Sequence, residues 1–283
     1  MTILDTIKKS FKITIGNPSI TLCLVIFLIF LNILASYIKT PLMAIISFLA
    51  TSAFFSGWFQ VVKETFDIEK LKEKKLGTTF FEGVGKNIIP TTLGMIFSII
   101  IFNLVAFALT FIASKIFGTL EFISQDMATI SQDADSIAKY LQSLTPEKLY
   151  AIYGWALSGI IAMGIYGFLM LFYMPAIISN DKNNIFLKPI IGIAKSICFV
   201  FKNFIGSFAI YALISTIYVL LVLFNALFAK NIILSMLMLF VYVYFISFVV
   251  VLIFNYYGQK NNHSDGADSI GENQCIDSTG EEI

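Results

Sequence analysis

The sequence predicts an all-α protein that crosses a membrane six times. Of its 283 residues, 58% are hydrophobic and only 13% charged, with a mean hydropathy of +0.85, far from the quarter charged that water-soluble domains carry. Six apolar runs are each long enough to cross ~30 Å of hydrocarbon, at about twenty residues or more. Two of the connections between runs are three-residue turns, which force those neighbours into hairpins.

The first seventeen residues read as a helix lying on the membrane surface. Asp5, Lys8, Lys9 and Lys12 fall on one side of it, and Leu4, Ile7 and Phe11 on the other. The step Asn17-Pro18 ends this helix and opens the next, since proline is tolerated in a first turn. The first span covers about 19–38. It is longer than a signal-peptide core and no small-residue cleavage pattern follows, so it is expected to be retained. After the turn Lys39-Thr40-Pro41 the second span runs over 42–62, with Trp58 suited to an interface. A mixed-charge stretch from Lys63 to Lys75 reads as a solvated helical loop.

A second surface element, FFEGVGKN at 80–87, leads into the third span at 88–113. Residues 118–148 form a polar stretch on the far side in which carboxylates outnumber lysines, and Thr145-Pro146-Glu147 has the form of a helix start. The fourth span covers 149–178. Within it Gly154, Ser158 and Ala162 recur every four residues, a stripe that lets another helix come close, and Pro175 is expected to kink or end its last turn. A third surface helix follows. Lys188, Lys195 and Lys202 are seven apart and share one face, while Ile190, Ile191, Ala194, Ile197, Cys198 and Phe201 make the other. Spans five and six, 204–228 and 231–257, flank the turn Ala229-Lys230-Asn231. The expected organisation is one transmembrane domain over 1–257 and a disordered acidic tail over 258–283.

All nineteen basic residues are lysines. Lys39, Lys115, Lys139, Lys148 and Lys230 fall on the far side of this topology, leaving fourteen on the side of the N-terminus. That asymmetry predicts a multi-pass protein of a bacterial cytoplasmic membrane with both termini in the cytoplasm. A net charge of +1 gives no electrostatic case for nucleic acid. Cys23, Cys198 and Cys275 are scattered, without a CxxC pair, and read as free thiols.

Asn17, Asn87 and Asn203 each close a surface element and precede an odd-numbered span. Lys9-Ser10 and Lys195-Ser196 both stand the same distance before such an asparagine. The chain is therefore expected to hold three parallel copies of one unit, each a surface helix followed by a two-span hairpin.

YMPAII from Tyr173, then a short polar loop, then GIAKSICFVFKN ending at Asn203, resembles bacterial inner-membrane families of six helices and unknown function. It is also similar to the membrane domain of some glycerophosphodiester phosphodiesterases. The resemblance implies a six-helix membrane architecture. Only residues 258–283 follow the last span, so it implies no catalytic domain here.

The residue types for catalysis are sparse. The one histidine, His263, lies in the tail, which excludes paired-histidine metal sites and serine–histidine triads. GVGKN at Gly83–Asn87 departs from a phosphate-binding loop at both ends. No Asp or Glu lies inside a span, which argues against ion-coupled transport. Asn32, Asn103 and Asn225 sit in the outer halves of the odd-numbered spans, either as interhelical hydrogen-bond partners or as the lining of a polar outward-facing cavity. No catalytic, cofactor-binding or metal-ligating residue is expected. Lys8, Lys9, Lys12, Lys188, Lys195 and Lys202 are candidates for anionic lipid headgroups. The function expected is that of a non-enzymatic scaffold or accessory subunit contacting anionic lipid or another membrane protein. The alternative is a permease-like subunit energised by a separate ATPase.

Overall fold

Proline and asparagine set several of the helix boundaries. The computed structural model describes residues 2–36, 40–66, 76–120, 134–180, 184–228 and 231–264. Among these it forms ten helices and no strand: α1 (Ile3–Gly16), α2 (Pro18–Ser36), α3 (Pro41–Glu64), α4 (Leu76–Phe117), α5 (Ala134–Ser143), α6 (Pro146–Leu169), α7 (Tyr173–Ile178), α8 (Lys188–Lys202), α9 (Phe204–Phe228) and α10 (Ile232–Ser264). Six stretches are long and apolar enough to cross a membrane: α2, α3, α4, α6 with α7, α9, and α10. Their outward side chains are apolar, as in Ile26, Ile29 and Ile33 on α2 or Leu104, Phe107 and Phe111 on α4. Water would penalise such a surface, and hydrocarbon does not. The chain is an all-α, six-span membrane protein.

Asn17 and Asn203 end α1 and α8 in the same way. Each backbone N–H donates to the carbonyl four residues back, Ile13 or Phe199, at 3.0 Å. Each side-chain amide reaches that same carbonyl, at 2.9 and 3.3 Å. Asn87 departs from the pattern. It lies inside α4, which runs unbroken through Pro90, so the second surface element is the opening of the third span and not a separate helix. A proline inside a membrane helix forfeits one backbone bond, which neighbouring helices make tolerable.

The fourth span is broken where the sequence predicts a kink. Residues 170–172 form a turn between α6 and α7, and Pro175 falls in the first turn of α7, where its missing N–H has no helical partner to lose. At the other end, α10 continues past Gly258 to Ser264, so residues 258–264 of the expected tail are helical. Residues 265–283, with Cys275, lie outside the described residues. So do Lys39, Lys182 and Lys230, most of the mixed-charge stretch (67–75) and much of the far-side polar stretch (121–133).

The chain divides into two units, Met1–Phe97 with Leu169–Ile283, and Ser98–Phe168. In the second unit α4 and α6 form an antiparallel pair. Gly154 lies against the Phe117 ring at a separation that leaves no room for a Cβ. Tyr166 is hydrogen-bonded to the Ser98 hydroxyl and donates to its carbonyl at 3.1 Å. The small-residue stripe is the packed side of α6: Gly154 and Ala162 are buried while Leu157 is 55% exposed.

In the first unit α3, α7 and α10 touch one another pairwise. Phe59 of α3 stacks on Phe254 of α10 with ring centres 5.6 Å apart. Lys63 Nζ, at the end of α3, donates to the Ile178 carbonyl that ends α7 at 3.1 Å. Phe172, just before α7, packs on Tyr256 of α10 at 5.7 Å. Each of the three also grips another span, α2, α4 or α9, through an aromatic side chain. Trp58 Nε1 donates to the Ile20 carbonyl at 3.0 Å, and Tyr173 Oη to the Gly94 carbonyl at 3.3 Å. The Tyr256 hydroxyl occupies the space a Cβ would need at Gly206.

Candidate functional site

The predicted lipid-binding lysines belong to helices held by contacts of one type. On α1 the fully buried side holds none of its lysines, and Phe11, which packs edge-on against Tyr244 and Phe248 of α10, stays half exposed. The buried side is a stripe of hydroxyls, Thr6, Ser10 and Thr14. Against it stand two amides one turn apart on α10. Thr6 Oγ1 donates to Gln259 Oε1 at 2.9 Å, Asn255 Nδ2 donates to Ser10 Oγ at 2.9 Å, and Gln259 Nε2 donates to Asn255 Oδ1 at 2.7 Å.

The opening of α4 docks on the end of α3 in matching fashion. Thr79 Oγ1 donates to Glu64 Oε2 at 3.2 Å, Gln60 Nε2 donates to Glu64 Oε1 at 2.7 Å, and Asn87 Nδ2 donates to Gln60 Oε1 at 3.3 Å. Gly83 lies so close to the Gln60 side chain that no Cβ fits there. In the third case α8 packs on α7 and on the end of α6. Ser196 Oγ donates to the Leu169 carbonyl at 2.8 Å, and a Cβ at Gly192 would stand 2.8 Å from Ile177 and 3.2 Å from Tyr173. In the first and third, a step of four residues forward on the docked helix matches a step backward on its partner, so those pairs are antiparallel; in the second, Gly83 and Asn87 both meet Gln60. Small or hydroxyl-bearing residues make that close approach possible.

The docking decides where each lysine ends up. Lys8, Lys9 and Lys12 are exposed on α1, together with Leu4, Phe11 and Ile15. On α8 the three lysines do not share one environment. Lys188 is only 4% exposed, Lys195 is half-buried and Lys202 is exposed. A seven-residue step falls about 20° short of two full turns, so such a row drifts around a straight helix. Its first member has drifted into the side packed on α7. The face of α8 turned outward carries Ile190, Ala194, Cys198 and Phe201.

Asn32, Asn103 and Asn225 are all exposed. Asn103 Nδ2 donates to its own helix, at the Ile99 carbonyl, at 2.8 Å. Asn32 and Asn225 belong to the first unit, on α2 and α9, and Asn103 to the second. Among the described residues no three His, Cys, Asp or Glu side chains gather to hold a metal ion. Gly83–Asn87 is helical and shaped by its contact with α3, so it is no phosphate-cradling loop. Neither a protein-family model, nor a curated protein, nor a solved structure matches this chain.

At the N-terminus of α1, Asp5 Oδ2 accepts from the Thr2 hydroxyl at 2.7 Å and from the Thr2 N–H at 3.1 Å, while Asp5 N–H donates back to Thr2 Oγ1 at 3.2 Å. The Thr2 hydroxyl first, then its N–H, hold the Asp5 carboxyl below the usual aspartate range. This capping box starts the lysine-bearing helix. Gln60, Glu64, Asn255 and Gln259 are the residues sequence reasoning missed. The signal that could have found them is an amide or carboxylate pair spaced i, i+4 at the end of spans two and six.

Proposed function

We propose that the chain is a non-enzymatic membrane scaffold or accessory subunit that holds anionic lipid on the face bearing α1 and α8. The observation that carries this reading is the posture of α1. Its hydroxyl stripe is committed to α10, which leaves Lys8, Lys9 and Lys12 outward beside Leu4, Phe11 and Ile15. A helix so divided sinks its apolar side to the acyl boundary and leaves its lysines among headgroups. Each lysine near an anionic surface contributes about 1 kcal/mol. Lys195 and Lys202 extend the same basic face on α8; Lys188 is withdrawn from it.

The lysine asymmetry supports a cytoplasmic location for this face and for both termini, in a bacterial cytoplasmic membrane. A threefold internal repeat is supported by the three close dockings through small or hydroxyl-bearing residues and by the matched caps at Asn17 and Asn203. Purified protein reconstituted in vesicles is expected to neither transport nor chemically alter a solute by itself; turnover by the isolated chain would overturn the reading. A permease-like subunit driven by a separate ATPase is favoured by one feature. Glu64 and Thr79 clasp the two ends of the mixed-charge stretch, which would present it to a soluble partner. Co-purification with an ATPase from native membranes would select that reading instead.

A further inference from the structure

Between α2, α3 and the opening of α4 lies a groove of about 400 Å³ in the first unit. Phe27, Phe30, Phe54 and Phe80 wall it, with Cys23 and Gly77 at its edge. Phe27 and Phe54 form its floor as a parallel stack with centres 3.8 Å apart. Apart from the Cys23 thiol, no lining side chain can hydrogen-bond, so neither water nor a headgroup is a suitable occupant. Size excludes another helix. A cylinder ~10 Å wide would fill such a volume in about 5 Å of length, less than one turn.

Depth then selects among thin apolar ligands. At ~1.5 Å per residue, Cys23 and Phe30 stand roughly 7 and 18 Å along α2 from Pro18. Half the hydrocarbon core is ~15 Å. The groove therefore spans the depth of the acyl chains in the leaflet on the side of α1. Ile26 and Phe30, 59% and 49% exposed, leave it open to that leaflet. We infer that the groove seats a single acyl chain of a membrane phospholipid, against the aromatic floor of α2 and α3.

This site needs no headgroup charge, so it stands apart from the lysine reading. Trp58, 1% exposed, stacks on the groove residue Phe54 at 6.0 Å and serves as reporter. The full-length Trp155→Phe variant keeps Trp58 as the single tryptophan. It is placed in vesicles of phosphatidylcholine whose acyl chains carry bromine, a short-range fluorescence quencher. Trp58 emission is expected to fall severalfold relative to unbrominated vesicles. Adding Gly77→Phe, at a position where a Cβ meets nothing within 4 Å, is expected to fill the groove and restore most of the emission. Emission unaffected by bromine, or quenching that persists unchanged in the Gly77→Phe protein, overturns the inference. Phosphatidylcholine has no net charge, so either failure leaves the anionic-lipid reading untouched.

Discussion

Thr6 Oγ1 donates a 2.9 Å hydrogen bond to Gln259 Oε1, across 253 positions of sequence. With Asn255 one turn earlier, it joins the first helix of the chain to the last. The same kind of bond joins Thr79 to Glu64 at 3.2 Å, and these contacts fix how the lysine-bearing surface is presented.

Asn255→Leu removes the donor to Ser10 and the acceptor for Gln259 at a site only 4% exposed. Groups left unpaired in a buried site cost about 1–3 kcal/mol. The variant is expected to melt earlier in detergent, with faster amide exchange confined to α1 and its contacts. Lys12→Gln, on the exposed side of the same helix, is expected to leave the melt unchanged. Equal melting of Asn255→Leu and wild type would show that α1 is held by other means.

Gly83 and Gly85 form a matched pair within α4. A Cβ at Gly83 collides with Gln60, whereas one at Gly85 meets nothing within 4 Å. Gly83→Ala is expected to destabilise by about 1–3 kcal/mol through forced separation of α3 and α4. Gly85→Ala is expected to be neutral, or stabilising by up to ~1 kcal/mol through lower unfolded-chain entropy and better helix propensity. Identical melting of the two variants would contradict the close contact.

Six spans were legible because a membrane span is written locally, as a long apolar run. The stripe Gly154, Ser158, Ala162 was legible for the same reason, and it does pack on α4. The dockings were not. Thr6 and Ser10 read as ordinary polar residues of a lysine-rich helix, because their partners lie some 250 residues away. Gln259 reads as the start of a polar tail, and only its bond to Thr6 shows why the helix continues. Lys188 reads as a headgroup ligand because a seven-residue period looks like one face, while three-dimensional packing on α7 decides its burial.

On α6, Ser158→Leu and Ala162→Leu are expected to destabilise the α4–α6 pair by about 1–3 kcal/mol each. Leu157→Ile, on the side that is 55% exposed, is expected to have little effect. Detergent melting checks this, and equal tolerance at all three positions would place the stripe against lipid.

Acid is expected to loosen the start of α1. Because the Asp5 carboxyl is held below its unfolded range, its contribution is fully present above the ordinary aspartate pKa. That contribution is lost as pH falls through the lowered folded value. Amide exchange over the first turn of α1 should accelerate there in wild type, and Asp5→Asn should show no such step. A step of the same size in Asp5→Asn would assign it to another group.

The most direct test of the account is which lipid stays bound through purification. Native mass spectrometry would compare wild type with the triple variant Lys8→Gln, Lys9→Gln, Lys12→Gln, and with Lys115→Gln, in the last turn of α4, as control. At about 1 kcal/mol per lysine, the triple change is expected to weaken retention of phosphatidylglycerol by roughly a hundredfold, with the six spans intact. The control is expected to retain phosphatidylglycerol as wild type does. Undiminished phosphatidylglycerol on the triple variant would contradict the lipid-holding role of this surface.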